Sequence, residues 1–134
     1  MKNKTDLVRG WLRKAGSDVV VMQASQKAGA LDAACFHAQQ AVEKYLKAYL
    51  FHLDLPFPFT RNLVKLLDHC ATADAAFREM IPLAAPLTPY AVELRYDAEF
   101  WPSASAAQEA CNSALAVRDF VLARLPPDLL QNTP

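Results

Sequence analysis

The stretch CFHAQQAVEKYLKAYL, residues 35–50, contains no glycine and no proline, and its apolar residues recur every three or four positions. That spacing places them on one side of an α-helix. The apolar positions are Cys35, Ala38, Val42, Tyr45 and Tyr49, and the flanking Leu31 and Leu53 continue the same line. The opposite side carries a narrow polar arc of Gln39, Gln40, Glu43, Lys44 and Lys47. A helix that is apolar over most of its circumference needs several packing neighbours, so we expect it at the centre of the fold. We expect any chemistry to lie near the polar arc.

Length and charge restrict the class of protein. A chain of 134 residues is long enough to bury a core as one domain, residues 1–134, and the two adjacent prolines 126 and 127 predict a frayed tail from about residue 126. Fourteen basic residues balance fourteen acidic ones. This balance excludes a strong general attraction to nucleic acid or to an anionic membrane, although a local basic patch is compatible with it.

The cysteines and the termini indicate a cytoplasmic protein. Cys35, Cys70 and Cys111 are odd in number, widely spaced and all in predicted helices, so we expect buried reduced thiols and neither a disulfide framework nor a metal site. The charged N-terminus is not followed by an apolar signal region, and no apolar run reaches the roughly 20 residues that cross a bilayer. No glycine-rich phosphate loop and no clustered ligands suggest a cofactor or a metal.

The remaining pattern predicts an all-α protein, an antiparallel up-and-down bundle of about five helices. Helix 1 is expected over residues 6–27 and helix 2 over residues 31–53, joined at Gly29 as an antiparallel hairpin. The predicted buried stripe of helix 1 is Leu7, Trp11, Ala15, Val19 and Met22. Pro56 and Pro58 end helix 2 in an extended loop.

Four further segments are predicted from capping signals and proline positions. Thr60 is expected to cap a third helix through Leu63, Leu66, Leu67 and Cys70. A short helix over residues 74–81 then leads into a loop, and Thr88-Pro89 predicts the start of another short helix that ends near residue 95. The pattern Ser105-Ala106-Ala107-Gln108 is typical of a capping box at the start of the last helix, which runs to about residue 125.

The core of helix 2, residues 34–48, resembles the signature of HEPN domains (higher eukaryotes and prokaryotes nucleotide-binding). The family reads roughly F-x-A-Q-Q-A-x-E-K-x-x-K-A, and this chain matches it from Phe36 to Ala48. In that family a proline-containing loop, a short leucine-rich helix and an R-Y element follow. Here these are residues 56–60, the helix around Leu66, and Arg95-Tyr96. The resemblance extends from about residue 11 to residue 125.

The resemblance implies a helical bundle, a homodimer, and the nucleotidyltransferase-associated type, whose members act as partner subunits in toxin–antitoxin-like modules. A separate ribonuclease branch of the family uses an R-x(4–6)-H motif. Seven residues separate Arg61 from His69, and the family's T-H-D-L and R-Y-P elements read Thr60-Arg61-Asn62-Leu63 and Arg95-Tyr96-Asp97. The sequence therefore predicts no catalytic residues and supports binding better than catalysis.

The candidate nucleotide-binding residues are Gln39, Gln40, Lys44, Lys47, Arg95 and Tyr96. Cationic side chains suit phosphates, and glutamine amides satisfy both donor and acceptor edges of a base. The alternative for the arc is a solvated face in which Glu43 pairs with Lys47 four positions later. The alternative for Arg95 is an ion pair with Glu43 or Glu93.

Phe36 and Phe51 fall within the polar arc of helix 2, away from the core stripe. We expect them at a dimer interface, where aromatic residues are enriched, although a loop folded over helix 2 would also cover them. The leading hypothesis is a non-catalytic, nucleotide-binding partner of a separately encoded nucleotidyltransferase. A ligand-free dimeric scaffold, or a ribonuclease toxin that uses Arg61 with His69 or Arg95, remains as an alternative, and binding of RNA is open.

Overall fold

Five α-helices and three short 3-10 segments make up the computed structural model, which describes residues 3–92 and 97–130. The helices are α1 (Lys4–Ala28), α2 (Leu31–His52), α3 (Leu63–Ala71), α4 (Ile81–Ala84) and α5 (Ala104–Leu122). The 3-10 segments are Ala75–Met80, Ala85–Ala91 and Pro127–Leu130. No strand occurs in these two ranges, and the predicted all-α class is confirmed.

The α1–α2 hairpin is the base of the fold. Gly29 takes a left-handed conformation (φ 85°) that ends α1, and the Ala30 amide donates to the Ser25 carbonyl at 2.8 Å. This is the bonding of a Schellman cap, and glycine allows it because it has no Cβ to clash. The helix ends agree with prediction within two residues.

Helix α2 lies at the centre, as predicted. It packs against α1, α3, α5 and the segment Ala85–Ala91. From Cys35 onward its apolar stripe is buried up to Tyr49, while Leu53 is exposed beyond the end of the helix. Alanines on the facing side of α5 (Ala107, Ala110, Ala114) are buried, and these small residues let the two helices approach closely.

The buried stripe of α1 differs from the predicted one by one residue at its start. Val8 and Leu12 are buried, whereas Leu7 is exposed and Trp11 half-buried. A period of 3.6 residues permits either line of apolar positions to face inward. The packing of α1 on α2 selects Val8 and Leu12 and leaves Leu7 and Trp11 at the edge of the hairpin.

Two predicted helix caps are wrong by two residues. Asn62, not Thr60, caps α3 by accepting a hydrogen bond from the Lys65 amide at 3.2 Å, while Thr60 accepts from the Asn62 amide. Ser103, not Ser105, caps α5 by accepting from the Ala106 amide at 3.0 Å. Two small polar residues stand close together at each helix start, and the path of the preceding loop decides which one has the extended backbone that a cap needs.

The proline-rich stretch between α3 and residue 92 is more helical than predicted. Asp74 begins the expected short helix, which takes 3-10 geometry, but α4 and the first part of the segment Ala85–Ala91 lie where a loop is predicted. The helix predicted from Thr88 to about residue 95 lies partly outside the described residues. The hydroxyl of Thr88 does not cap a helix of its own. It accepts from the Leu63 amide at 3.2 Å and so satisfies the first free N–H of α3.

Beyond α5 the segment Pro127–Leu130 packs against α1, within the range predicted to be a frayed tail. Leu129 is buried, and the Arg9 guanidinium donates to the Asp128 carbonyl at 2.8 Å. Burial of an apolar side chain offsets the entropy of ordering this segment. In the described part of the chain, none of the helices has the length and apolar character that a membrane span requires.

Candidate ligand-binding cleft

A cleft of about 820 Å³ lies where α1, α2 and the α2–α3 loop meet. The residues that line it come from the two helices of the hairpin and from the loop that follows α2. They are Asp6, Leu7, Gly10, Trp11 and Lys14 from α1, Glu43, Lys44 and Lys47 from α2, and Phe59, Thr60 and Arg61 from the loop. The volume falls within the range of small-molecule sites.

Lys47 is the most buried cation of the cleft. Its Nζ atom lies 3.0 Å from Glu43 Oε2, and less than a tenth of either side chain is exposed. The same Nζ lies 5.9 Å from the ring centroid of Trp11 and 5.8 Å from that of Phe59, which are cation–π distances. The predicted pairing of Glu43 with Lys47 is present, but it lies inside the cleft and not on a solvated face.

Gln39 and Gln40 support the cleft from behind and do not line it. Gln39 is fully buried, and its Nε2 atom donates to Glu43 Oε1 at 3.1 Å and to the Arg61 carbonyl at 3.4 Å. Gln40 Nε2 donates in turn to Gln39 Oε1 at 2.6 Å. These bonds connect α2 to the loop and hold the Glu43 carboxylate in one orientation.

A second charged group lies beside the cleft, around Asp18 of α1. One carboxylate oxygen of Asp18 lies 2.8 Å from His37 Nδ1, and the other accepts a hydrogen bond from Lys44 Nζ at 2.5 Å. Asp18 is buried, so these two partners satisfy a carboxylate that water does not reach. Sequence reasoning did not identify Asp18. Asp18 lies beside Ala15 and Val19 in the buried stripe of α1, and this position in the sequence could have predicted its burial.

Two cations of the cleft have no ion pair within the part of the chain that the structure describes. Lys44 pairs with Asp18 and Lys47 with Glu43, whereas the exposed side chains of Lys14 and Arg61 form no ion pair with any residue in 3–92 or 97–130. Neither Lys14 nor Trp11 is among the ligand contacts predicted from the sequence, and Arg61 is predicted only for the ribonuclease alternative. The loop and α1 reach the cleft from distant parts of the chain, so no local pattern connects them.

The other predicted site residues lie elsewhere. Arg95 and Tyr96 are outside the described residues. Phe36 is half-buried with its ring edge-on to His37 at 5.3 Å, and Phe51 is half-buried against the core. His69, the proposed ribonuclease partner of Arg61, is half-buried on α3 and is not among the residues that line the cleft.

The three thiols are structural. All are buried and free, as predicted, and burial raises the pKa of Cys35 to about 11 and that of Cys70 to about 12. Burial raises the pKa of Cys111 as well. The thiolate is the nucleophilic form, so burial disfavours the reactive state of all three side chains. Over the described ranges, no three His, Cys, Asp or Glu side chains come together as metal ligands would.

Comparison with known families decides the relationship of this chain. A family model described as a HEPN domain matches residues 8–125. The chain belongs to the HEPN family. The matched range includes every residue that lines the cleft except Asp6 and Leu7, so the cleft is part of the HEPN domain itself.

A solved structure agrees with this assignment at the level of the fold. The HEPN protein resembles the crystal structure of ST0689, described as an archaeal HEPN homologue, with a TM-score of 0.70 and 20% sequence identity. The match covers 92% of this chain and 98% of the other. No curated protein matches the sequence.

Proposed function

We propose that this HEPN protein binds a nucleotide in the cleft between α1, α2 and the α2–α3 loop. The observation that carries the proposal is the combination, in one concave site, of two aromatic rings and two cations that have no ionic partner among residues 3–92 and 97–130. A nucleotide presents the matching chemistry, since it joins anionic phosphates to a flat base. Arg61 offers a planar fork for phosphate oxygens and Lys14 adds a flexible point charge.

The exposed ring of Phe59 is a second observation in favour of a flat ligand. Phe59 is fully exposed, although most large apolar side chains of this fold are covered. Water around a phenyl ring is unfavourable, so a base that stacks on Phe59 or Trp11 gains by removing it. Stacking of a base on an aromatic side chain contributes about 1–3 kcal/mol.

Binding is measured through Trp11, because Trp101 is the other tryptophan and lies in the 97–102 segment outside the cleft. In a Trp101→Phe background, ADP and GDP are titrated while fluorescence is recorded, with calorimetry in parallel. We expect Lys14→Ala and Arg61→Ala each to weaken binding by about tenfold, because each removes a charged donor to phosphate. Lys27→Ala, on the same helix but beyond the cleft, is the matched control and leaves affinity unchanged. Absence of heat and of a fluorescence change at millimolar nucleotide would contradict the proposal.

The same proposal extends to the role of the protein. We place it as a non-catalytic partner subunit of a separately encoded nucleotidyltransferase, in a toxin–antitoxin-like module of the cytoplasm. The HEPN signature of α2 supports this role, and three buried free thiols suit a reducing compartment. Co-expression with a nucleotidyltransferase encoded beside it is expected to give one co-eluting complex. Separate elution of the two proteins would favour the ligand-free scaffold. RNA cleavage that Arg61→Ala abolishes would favour the ribonuclease.

Two half-buried phenylalanines on α2 support a homodimer. Phe36 and Phe51 sit outside the buried stripe of the helix, and a second protomer would remove the exposed part of each ring from water. We expect Phe36→Ser to lower the mass measured by light scattering from that of a dimer to that of a monomer. Phe100→Ser, a half-buried phenylalanine near Tyr90, serves as the control and keeps the dimer mass. A wild-type monomer, or an unchanged Phe36→Ser dimer, would contradict this interface.

A further inference from the structure

The Lys47–Glu43 pair, whose two side chains line the cleft, forms a hydrogen-bonded row of three polar atoms at its wall. The row runs from Lys47 Nζ, a donor, through Glu43 Oε2 to Glu43 Oε1, both acceptors. Lys47 Nζ and Glu43 Oε2 lie 3.0 Å apart, and both side chains line the cleft while nine-tenths of each is buried. Each carboxylate oxygen accepts one hydrogen bond within the protein and keeps a second lone pair for a ligand.

This order of donor, acceptor and acceptor is complementary to one nucleobase edge. Guanine presents O6 as an acceptor, then N1–H and the N2 amino group as donors, in the same sequence along its Watson–Crick edge. Adenine places an amino donor against Lys47 and an unprotonated ring nitrogen against Glu43. Uracil matches the first two atoms and then places O2 against Glu43 Oε1. Burial makes such mismatches costly, because a buried polar group without a partner loses its hydration.

We propose that the cleft selects guanine nucleotides and that Glu43 and Lys47 are the residues that read the base. This inference rests on the proposed function, since it specifies which nucleotide the same cleft takes. Trp11 and Phe59 lie almost equidistant from Lys47 Nζ, so both rings are close enough to the row for a base bonded to it to stack on either. Lys14 and Arg61, in the same cleft, are the cations for the phosphates.

Gln39 is the positioning residue of the row. It is fully buried, donates to Glu43 Oε1, and is itself held by Gln40. The carboxylate is therefore oriented before the ligand arrives, which lowers the entropic cost of recognition. The bond from Gln39 to the Arg61 carbonyl connects the base-reading row to the loop that carries a phosphate-binding cation.

The experiment compares four diphosphates that differ only in the base, using Trp11 fluorescence in the Trp101→Phe background. GDP is expected to bind most tightly, and IDP, which lacks the N2 amino group, about tenfold more weakly. UDP and ADP are expected to bind more weakly than IDP, with ADP about a hundredfold below GDP. Equal affinities for GDP and ADP would overturn guanine selection while leaving nucleotide binding intact. Failure of all four to bind would overturn the proposed function as well.

Glu43→Gln tests the reading of the amino group directly. The substitution replaces one carboxylate oxygen by an amide N–H₂. Because the charged Lys47 Nζ holds the remaining oxygen at the Oε2 position, the amide takes the Oε1 position and cannot accept from the guanine amino group. The GDP-to-IDP affinity ratio is therefore expected to fall from about ten to about one. Glu79→Gln makes the same chemical change at an exposed position and keeps the wild-type ratio. Circular dichroism verifies that both variants fold. If Glu43→Gln does not fold, the four-base comparison on the wild-type protein still decides, and an unchanged ratio in folded Glu43→Gln would refute the role of Glu43.

Discussion

Replacement of Glu43 by alanine is expected to lower the free energy of unfolding by about 3 kcal/mol or more. The substitution leaves the ammonium group of Lys47 buried without its ionic partner, and it removes the acceptor of a hydrogen bond from Gln39. A buried charge that loses its counter-charge costs several kcal/mol, more than the pair itself contributed. Urea denaturation followed by circular dichroism measures the loss, with an unchanged m-value as the sign of a two-state transition.

Two further variants show whether burial is the cause. Lys4→Ala breaks the pair between Lys4 and Asp54, whose side chains are 45% and 73% exposed, and is expected to change stability by less than about 1 kcal/mol. The double variant Glu43→Leu/Lys47→Met removes both charges at once and is expected to be as stable as wild type or more so, while losing the ligand. A loss in Glu43→Ala no larger than that in Lys4→Ala would show that water reaches the Glu43–Lys47 pair.

Phe77→Ala is expected to destabilise the fold by about 3–5 kcal/mol. Phe77 is fully buried and joins three elements, because its ring lies 4.5 Å from that of Tyr49 on α2 and 5.0 Å from that of Phe120 on α5. Truncation to alanine removes the transfer free energy of the ring and leaves a cavity between these helices. The measurement is the shift of the urea midpoint and of the thermal midpoint by calorimetry.

Phe59→Ala is the matched control for Phe77→Ala. The chemical change is identical, but Phe59 is fully exposed, so the free energy of unfolding is expected to change by less than about 0.5 kcal/mol. In the binding experiment Phe59→Ala is expected to have the larger effect on nucleotide affinity, since Phe59 contributes a ring to the cleft and Phe77 does not. A destabilisation of Phe77→Ala below 1 kcal/mol would mean that the surrounding side chains collapse into the space.

The long helices of this fold could be predicted from local sequence because their signals are local. A glycine ends α1, two prolines end the helical pattern of α2, and the apolar period between them is unbroken. Where two neighbouring residues carry the same signal, prediction was less accurate. Both wrongly predicted caps lie two residues from the true one. In α1, burial was predicted for Leu7 and Trp11, whereas Val8 and Leu12 are buried. Each choice depends on contacts with another element.

The candidate site was predictable only for the part that belongs to α2. Lys44 and Lys47 line the cleft, and Glu43 pairs with Lys47 at the expected spacing. The other lining residues come from outside α2. Trp11 and Lys14 belong to α1, and Phe59 belongs to the loop that follows α2. No spacing rule relates residues whose proximity arises from the packing of two helices.

The 16 residues from Cys35 to Leu50 by themselves determined a central helix, its apolar stripe, its polar arc and the family signature that they carry, since helical periodicity and signature are properties of consecutive residues. Only the tertiary structure decided what the arc does. In the folded protein Gln39 is buried, Glu43 forms an ion pair with Lys47, and Lys44 forms one with Asp18 of α1. The physical reason is that a buried polar side chain is costly unless it is hydrogen-bonded, so the polar residues of a covered helix need partners within the protein. Which residues become those partners depends on which elements pack against the helix.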